Sequence, residues 1–360
     1  VGPRRRARSS PPSGLSLSEF SLSESTLSEF SLIDAFTACF DVVRSPRGPG
    51  DDCAVLPAGA GALCVTTDAV VENVHFTRAH FSLGEVGHKA LAVNLSDLAA
   101  MGARPEWFLC ALGLPAGFTL AQTRQLGRGM AKLARTHRIR LAGGNLTTAS
   151  ALSVTLTAAG RVGAGGALLR SGARPGDALY VSGSLGDARL GLSLLETAPR
   201  SAPALRQKCP IPRVGLGLVA ARFARAAIDV SDGFAQDLGH LCAASGVRAE
   251  VWLGRLPLSA ALVRHLPDPD AAALFAAAGG EDYELLLAVP PDRAPAFERA
   301  CARHGEHVVQ VGEMQKGRGV RLRTASGGWV APPRGFDHRL SGGKQAGRSR
   351  HLTPWGSEAK

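Results

Sequence analysis

The segment Lys89–Pro105 constrains this chain more than any other stretch of it. Good helix formers run from Lys89 to Met101, Gly102 supplies a stop, and Pro105 blocks continuation. Nearly every side chain is apolar, so the pattern predicts a helix buried on most of its sides. Yet Asn94 and Asp97, three residues apart, share one face of that cylinder. A carboxylate in such a place costs several kcal/mol unless a cation or a set of donors meets it. Lys89 and Arg104 stand at the ends of the segment, and neither falls on that face. Two readings of Asp97 therefore stand open: a ligand to a metal ion, or a cap on a neighbouring element.

With 360 residues the chain is long enough for two domains, each with its own core. Apolar segments of strand length alternate with helical ones in the first half: strands at 62–67, 107–114 and 152–162, and helices at 89–101 and 120–136. That is the pattern of a layered α/β domain. Gly163–Gly166 and the turn Arg174-Pro175-Gly176-Asp177 punctuate the chain. A second α/β domain is expected after them, with strands at 178–182 and 283–289 and helices at 234–244 and 271–278. The expected division is an extension at 1–27, an N-terminal domain at 28–165, a C-terminal domain at 166–340 and a basic tail at 341–360. A helix is expected at about 32–43. No apolar run approaches the ~18 residues of a membrane span, and no secretory core segment follows Arg4–Arg8.

The net charge of +11 suggests nucleic acid, but its distribution does not. Four Arg and two Glu lie in residues 1–27, two Lys, two Arg and one Glu in 341–360, and the remaining excess is spread along the sequence. A nucleic-acid surface predicts clustering, so phosphorylated small molecules are the expected partners. The seven cysteines are far apart, with neither a Cys-x-x-Cys pair nor a Cys/His cluster. Reduced thiols in a cytoplasmic protein are expected.

The acids recur in one setting. Asp51, Asp52, Asp68, Asp97, Asp229, Asp232, Glu281 and Asp282 each end an apolar segment beside Gly, Ser or Thr. For any one of them alone, turn-making or N-capping is the commoner role. Together they form a set of hard oxygen donors suited to Mg²⁺, because like charges gathered without cations repel. Gly143-Gly144-Asn145 and Ser231-Asp232-Gly233 read as small-residue turns whose N–H groups can approach phosphate oxygens. Arg170 is a candidate cationic fork for the same ligand. Neither the P-loop pattern nor the Rossmann fingerprint occurs, and the kinase catalytic loop and the Gly-x-Ser-x-Gly elbow are absent too.

Taken in order, eight short motifs resemble the thiamine-monophosphate kinases. They are Gly50–Ala54, Thr66–Asp68, Asn73–Phe76, Lys89–Pro105, Gly143–Asn145, Leu169–Ala173, Asp229–Gly233 and Gly279–Leu285. The likeness spans about 28–340. It implies a two-domain α/β fold shared with aminoimidazole ribonucleotide synthetase and selenophosphate synthetase, a homodimer formed by the N-terminal domains, and a site in the cleft between domains. It implies transfer of the γ-phosphoryl group of ATP to thiamine monophosphate, giving thiamine diphosphate. Residue by residue, it implies that Asp51, Thr66, Thr67, Asp68, Asp97, Asn145, Asp229 and Asp232 hold several Mg²⁺ ions. Gly144, Asn145, Arg170 and Ser231 would contact ATP, with His75, Glu281 and Phe336 near the thiamine. Asn145 stands where many members carry Asp, which removes one negative charge. Phe336 stands where Tyr or Trp is also seen; it can stack on a ring but offers no polar tip.

The chemistry agrees with the motifs. Two phosphorylated reactants repel each other, and cations held by carboxylates neutralise and align them. A phosphate monoester oxygen is largely ionised at neutral pH, so no general base is needed and no covalent nucleophile is expected. Within the same fold, selenophosphate synthetases carry a reactive Cys or selenocysteine near the start. Cys39 and Cys53 occupy that region here, with Cys53 inside the Gly50–Ala54 motif and nothing beside it in the sequence to activate its thiol. Two further rival readings are a cyclo-ligase of this fold and a non-enzymatic nucleotide-binding regulator.

Overall fold

The computed structural model describes residues 37–40, 63–163, 166–333 and 335. Asp51, Asp52, Phe336, the two tails and most of the helix expected near the start lie outside the described residues. The first half builds β1 (Leu63–Val71), α1 (Leu83–Ala100), β2 (Arg104–Leu114), α2 (Leu120–His137), β3 (Arg140–Thr148) and β4 (Ser153–Arg161). The second half builds β5 (Ala178–Ser182), α3 (Asp187–Ser193), α4 (Ala202–Lys208), α5 (Val214–Ala220), β6 (Ala226–Asp229) and α6 (Phe234–Ser245). It continues with β7 (Arg248–Trp252), α7 (Ala260–His265), α8 (Pro269–Ala277), β8 (Leu285–Val289), α9 (Ala294–Arg303), β9 (Val308–Gln315), β10 (Gly319–Arg323) and β11 (Trp329–Val330).

The strands form two sheets, in orders β1-β4-β2-β3 and β11-β10-β7-β9-β5-β8-β6. In the first sheet β1 and β2 both run antiparallel to β4, while β2 and β3 are parallel. Pro105, read from sequence as a stop, lies inside β2 beside an irregularity between Pro105 and Trp107. A proline is tolerated there because the ladder is already interrupted.

Helix α1 occupies the middle of the molecule. It packs on α2, β1 and β4 on one side and on α5 and β6 on the other. Leu91, Leu95 and Leu98 are at most 1% exposed, within a core that continues into Leu216 of α5 and Leu285 and Leu287 of β8. A second core, with Ile228, Phe234, Leu238 and Val251, fills the other face of the larger sheet. Two glycines let α1 sit this deep. Gly102 ends the helix at φ 65°, a left-handed conformation that costs other residues free energy. A Cβ on Gly217 of α5 would fall 2.1 Å from the Ala99 carbonyl oxygen, so only glycine permits this crossing.

The helix begins earlier than the apolar pattern indicates. Ser82 caps it by accepting the Glu85 N–H, and the Glu85 carboxylate accepts the Ser82 N–H at 2.7 Å, a reciprocal capping box. Lys89 thus lies in the helix interior and not at its end, and its side chain is 1% exposed. Asn94 is also fully buried; its amide nitrogen donates to the Ala90 carbonyl at 3.0 Å, one turn back on the same helix.

The basic residues are less scattered than the linear sequence implies. Arg124, Arg128, Lys132 and Arg135 are all exposed and follow one another at helical spacing along α2. Among the described residues no helix is long and apolar enough to cross a membrane. Cys39, Cys64, Cys110, Cys209, Cys242 and Cys301 are thiols that form no disulfide among the described residues.

Candidate active site

Strand alternation sorts the Thr66-Thr67-Asp68 motif into two faces. Thr66 and Asp68 turn toward α1. Thr67 points the other way, donating to the Leu156 carbonyl at 2.9 Å and accepting from the Thr157 hydroxyl at 3.2 Å. Its side chain is therefore not among the groups brought together. Asp97 comes from the half-buried lip of α1 and accepts the Thr66 hydroxyl at 2.5 Å. One residue earlier on the helix, Ser96 donates to Asp229 at 2.7 Å. Asp229 is the last residue of β6 and is 4% exposed. Adjacent residues of one helix thus join the first sheet to the second through carboxylates.

No lysine or arginine pairs with Asp68, Asp97 or Asp229 among the described residues. Burial, and then the neighbouring Asp97, push the Asp68 carboxyl up to about 7. Asp229 is pushed up to about 8, chiefly by burial and then by Asp97; the Ser96 hydroxyl pulls the other way. Hard oxygens, mutual repulsion and no pairing lysine or arginine among the described residues make this group chemically suited to a hard cation. Beside it a cavity of about 410 Å³ is lined by Thr66, Asp97, Met101, Arg170 and Asp229. Arg170 therefore faces the same space as the carboxylates.

The turn between β6 and α6 differs from its sequence reading. The N–H groups of Ser231, Asp232 and Gly233 all donate to one oxygen of Asp237, each at 3.0 Å. They are occupied by a protein carboxylate and are not free for phosphate; what the turn offers is its side chains. Burial holds the Asp237 carboxyl up at about 6 even so, with the Gly233 N–H the largest opposing influence. Carboxylate oxygens of Asp232 and Asp237 and a ring nitrogen of His240 lie within 4.8 Å of one another, a second group able to hold a metal.

The loop 279–284 packs directly on this turn. A Cβ on Gly280 would meet the Ser231 carbonyl oxygen at 2.7 Å. Glu281 N–H donates to Ser231 O at 2.7 Å and Tyr283 N–H to Val230 O at 2.8 Å. Glu281 and Tyr283 are both left-handed, at φ 66° and 51°, a strain of about 1 kcal/mol or more each. That geometry delays β8 to Leu285, two residues beyond the start expected from sequence. Two buried acids hold the loop in place. Asp282 accepts N–H bonds from Gly186 at 2.6 Å and Ala188 at 3.0 Å. Glu284 takes the Ser182 hydroxyl at 2.6 Å and both Arg213 and Arg206.

Three further expected residues lie elsewhere. Gly143-Gly144-Asn145 is not a turn but part of β3, in register with Leu109, Cys110 and Ala111. Gly144 is required there because a Cβ would lie 1.8 Å from the Cys110 carbonyl oxygen. Gly144 and Asn145 are exposed on this edge strand. His75 follows β1, and its Nδ1 accepts the Val71 N–H at 3.1 Å, which leaves the proton of a neutral ring on Nε2.

Residues 50–162 match the family model for the N-terminal domain of AIR synthase related proteins, and residues 174–325 the model for the C-terminal domain. The thiamine-monophosphate kinase of Escherichia coli strain K12 is 41% identical over 298 residues, 79% of this chain and 90% of that protein. The Bacillus subtilis enzyme of the same name is 36% identical over 324 residues, covering 83% and 98%. Among solved structures, thiamine-monophosphate kinase from Stenotrophomonas maltophilia superposes with a TM-score of 0.73 at 40% identity, covering 82% of this chain and 96% of that one. AaThiL complexed with AMPPCP and TMP gives 0.70 at 31% identity, covering 86% and 97%. The hydrogenase maturation protein HypE shares the fold, with a TM-score of 0.71 at 22% identity. Its motifs, its paired sheets and these relatives together show that the chain belongs to the thiamine-monophosphate kinases, enzymes that phosphorylate thiamine monophosphate to thiamine diphosphate with ATP.

Proposed function

We propose that Asp68, Asp97 and Asp229, and Asp232 three residues further along the chain, hold the Mg²⁺ ions of this kinase reaction, and that the phosphates of both substrates meet in the adjoining cavity. The observation that carries this reading is the trio of carboxylates, Asp229 buried and Asp68 and Asp97 half-buried, which no lysine or arginine pairs among the described residues and whose cavity Arg170 also lines. The donor set fits a hard divalent ion: carboxylates with the hydroxyls of Thr66 and Ser96 orienting two of them. Bound there, Mg²⁺ supplies charge neutralisation on the phosphate oxygens. Arg170 is suited to a phosphate of ATP as a fixed fork, and Ser231 offers its hydroxyl beside Asp232. In the transfer, an anionic oxygen of thiamine monophosphate forms the new P–O bond to the γ-phosphorus. The bond from that phosphorus to the β,γ-bridging oxygen breaks, and ADP leaves with the electron pair. No side chain has to take a proton.

Glu281 and His75 are assigned to the thiamine end, with Phe336 and Asp51 completing the site from outside the described residues. Gly144 and Asn145, exposed on the edge of β3, are assigned to ATP; Asn145 is the weaker cation ligand by charge, having an amide oxygen in place of a carboxylate. We also assign the chain to two domains, 28–165 and 166–340, and to a homodimer through the outer face of the first sheet. On that face Leu63 is 45% exposed and Val65 56%, an apolar surface that favours a partner.

The test is purified protein with ATP, Mg²⁺ and thiamine monophosphate, followed by chromatography of the thiamine phosphates. Thiamine diphosphate is expected from the wild type and none from Asp97→Ala, with the circular dichroism spectrum unchanged. An active Asp97→Ala variant would show that this carboxylate is structural.

A further inference from the structure

The mechanism above leaves a buried cation unused. Lys89 is 1% exposed, and an ammonium that deep is costly unless it is paired and hydrogen-bonded. Its Nζ lies 2.7 Å from Glu281 Oε1 and 3.2 Å from the Gln207 carbonyl oxygen, 5.6 Å from the centre of the Phe81 ring. The other carboxylate oxygen of Glu281 accepts the Gln207 amide at 2.5 Å. Both oxygens are therefore held, while the Glu281 side chain keeps 29% of its surface open.

We infer that Lys89 is a positioning residue, which fixes the Glu281 carboxylate against α1 and thereby sets where the thiamine end of the substrate is bound. The inference rests on the assignment of Glu281 to the thiamine moiety. Lys89 and Asp97 are eight residues apart on the same rigid helix, about 12 Å along its axis. One element thus spaces the carboxylate at the organic end of the substrate from the carboxylate at its phosphate end. The strained loop makes this anchor necessary: a left-handed Glu281 has few conformations to fall back on if its side chain is released. The contact also crosses from the first sheet's helix to the second sheet's loop, so the pocket it shapes exists only when the two are assembled.

A plain structural staple would make the same contacts, and binding measurements separate the two roles. Lys89→Met keeps the stem but removes the charge. A hydrogen bond to a charged group corresponds to roughly tenfold to a hundredfold in affinity. Calorimetry should show the dissociation constant for thiamine monophosphate rising within that range, with that for the ATP analogue AMPPCP unchanged within twofold. Lys89→Arg should recover most of the loss. Lys89→Met combined with Glu281→Gln should bind no worse than Glu281→Gln alone, because both act on one carboxylate. Equal losses for both ligands, or losses that add in the double variant, would make Lys89 a staple and overturn the inference. If Lys89→Met fails to fold, Gln207→Ala loosens the same carboxylate without leaving a buried charge, and should weaken thiamine monophosphate alone; no change there would overturn it equally. Glu281→Gln with unaltered thiamine monophosphate affinity would instead refute the assignment of Glu281 itself.

Discussion

Replacing Ser96 by Ala tests whether hydroxyl support of Asp229 governs cation binding. The Ser96 hydroxyl donates to Asp229 at 2.7 Å, and both residues are buried. Hydrogen bonds to charged groups contribute about 1.5–3 kcal/mol. At 1.36 kcal/mol per pKa unit, losing this one raises the proton affinity of Asp229 by about one to two units. Burial and Asp97 already place that carboxyl at about 8. Near pH 8 the ionised fraction should therefore fall from about one half to between a tenth and a hundredth. A metal needs the ionised form and must displace the proton, so Mg²⁺ affinity at pH 8 should drop about fivefold to fiftyfold. The sign of the pH dependence follows: the deficit is largest below pH 7 and shrinks as rising pH ionises Asp229 in the variant too. Titration calorimetry of Mg²⁺ with AMPPCP present, at pH 7, 8 and 9.5, measures it directly. An unchanged affinity, or a deficit as large at pH 9.5 as at pH 7, would mean that the Ser96 hydroxyl does not govern the ionisation of Asp229.

Three other outcomes are expected. Without Mg²⁺, stability to urea should fall between about pH 5 and pH 8. The unfolded chain has ionised these acids by then, whereas folded Asp68 and Asp229 hold their protons to about 7 and about 8. Added Mg²⁺ should reverse most of that loss, and a flat pH profile would contradict the electrostatic picture. Glu284→Gln should destabilise by about 3–5 kcal/mol in denaturant melts, because Arg206 and Arg213 lose their buried counter-charge; a loss under about 1 kcal/mol would mean that the network adds little. Gly217→Ala should lower stability by about 1–3 kcal/mol or more, since the new Cβ would collide with the Ala99 carbonyl 2.1 Å away. Because α1 carries Asp97, turnover should fall with it, and a fully active, equally stable variant would show that the crossing can relax.

Much of the site is legible in the sequence because its acids end apolar segments. Asp97 on a buried helix, Asp68 on β1 and Asp229 at the end of β6 stand out as charges where burial is expected, and the structure gathers those three. What stays hidden depends on contacts between distant segments. Asp237 reads as an ordinary polar residue of a helix's first turn; only the fold-back of the preceding turn aims three N–H groups at it. Lys89 looks terminal because the residues before it are mixed in polarity, although Ser82 and Glu85 already spell a capping box. The paired glycines at 143–144 suggest a turn, but their role is the close approach of β3 to Cys110. The basic stripe of α2 is concealed by helical spacing, which separates in sequence what it aligns on the surface.

If Asp68, Asp97 and Asp229 form the proposed cation site, the phosphates of both substrates converge on the ions it holds. Crystals grown with Mn²⁺, AMPPCP and thiamine monophosphate, probed by anomalous diffraction at the manganese edge, test it most directly. Anomalous density bonded to carboxylate oxygens of all three residues and to phosphate oxygens of the nucleotide is expected. Manganese bound to the nucleotide alone, with the three carboxylates bonded only to one another, would contradict it.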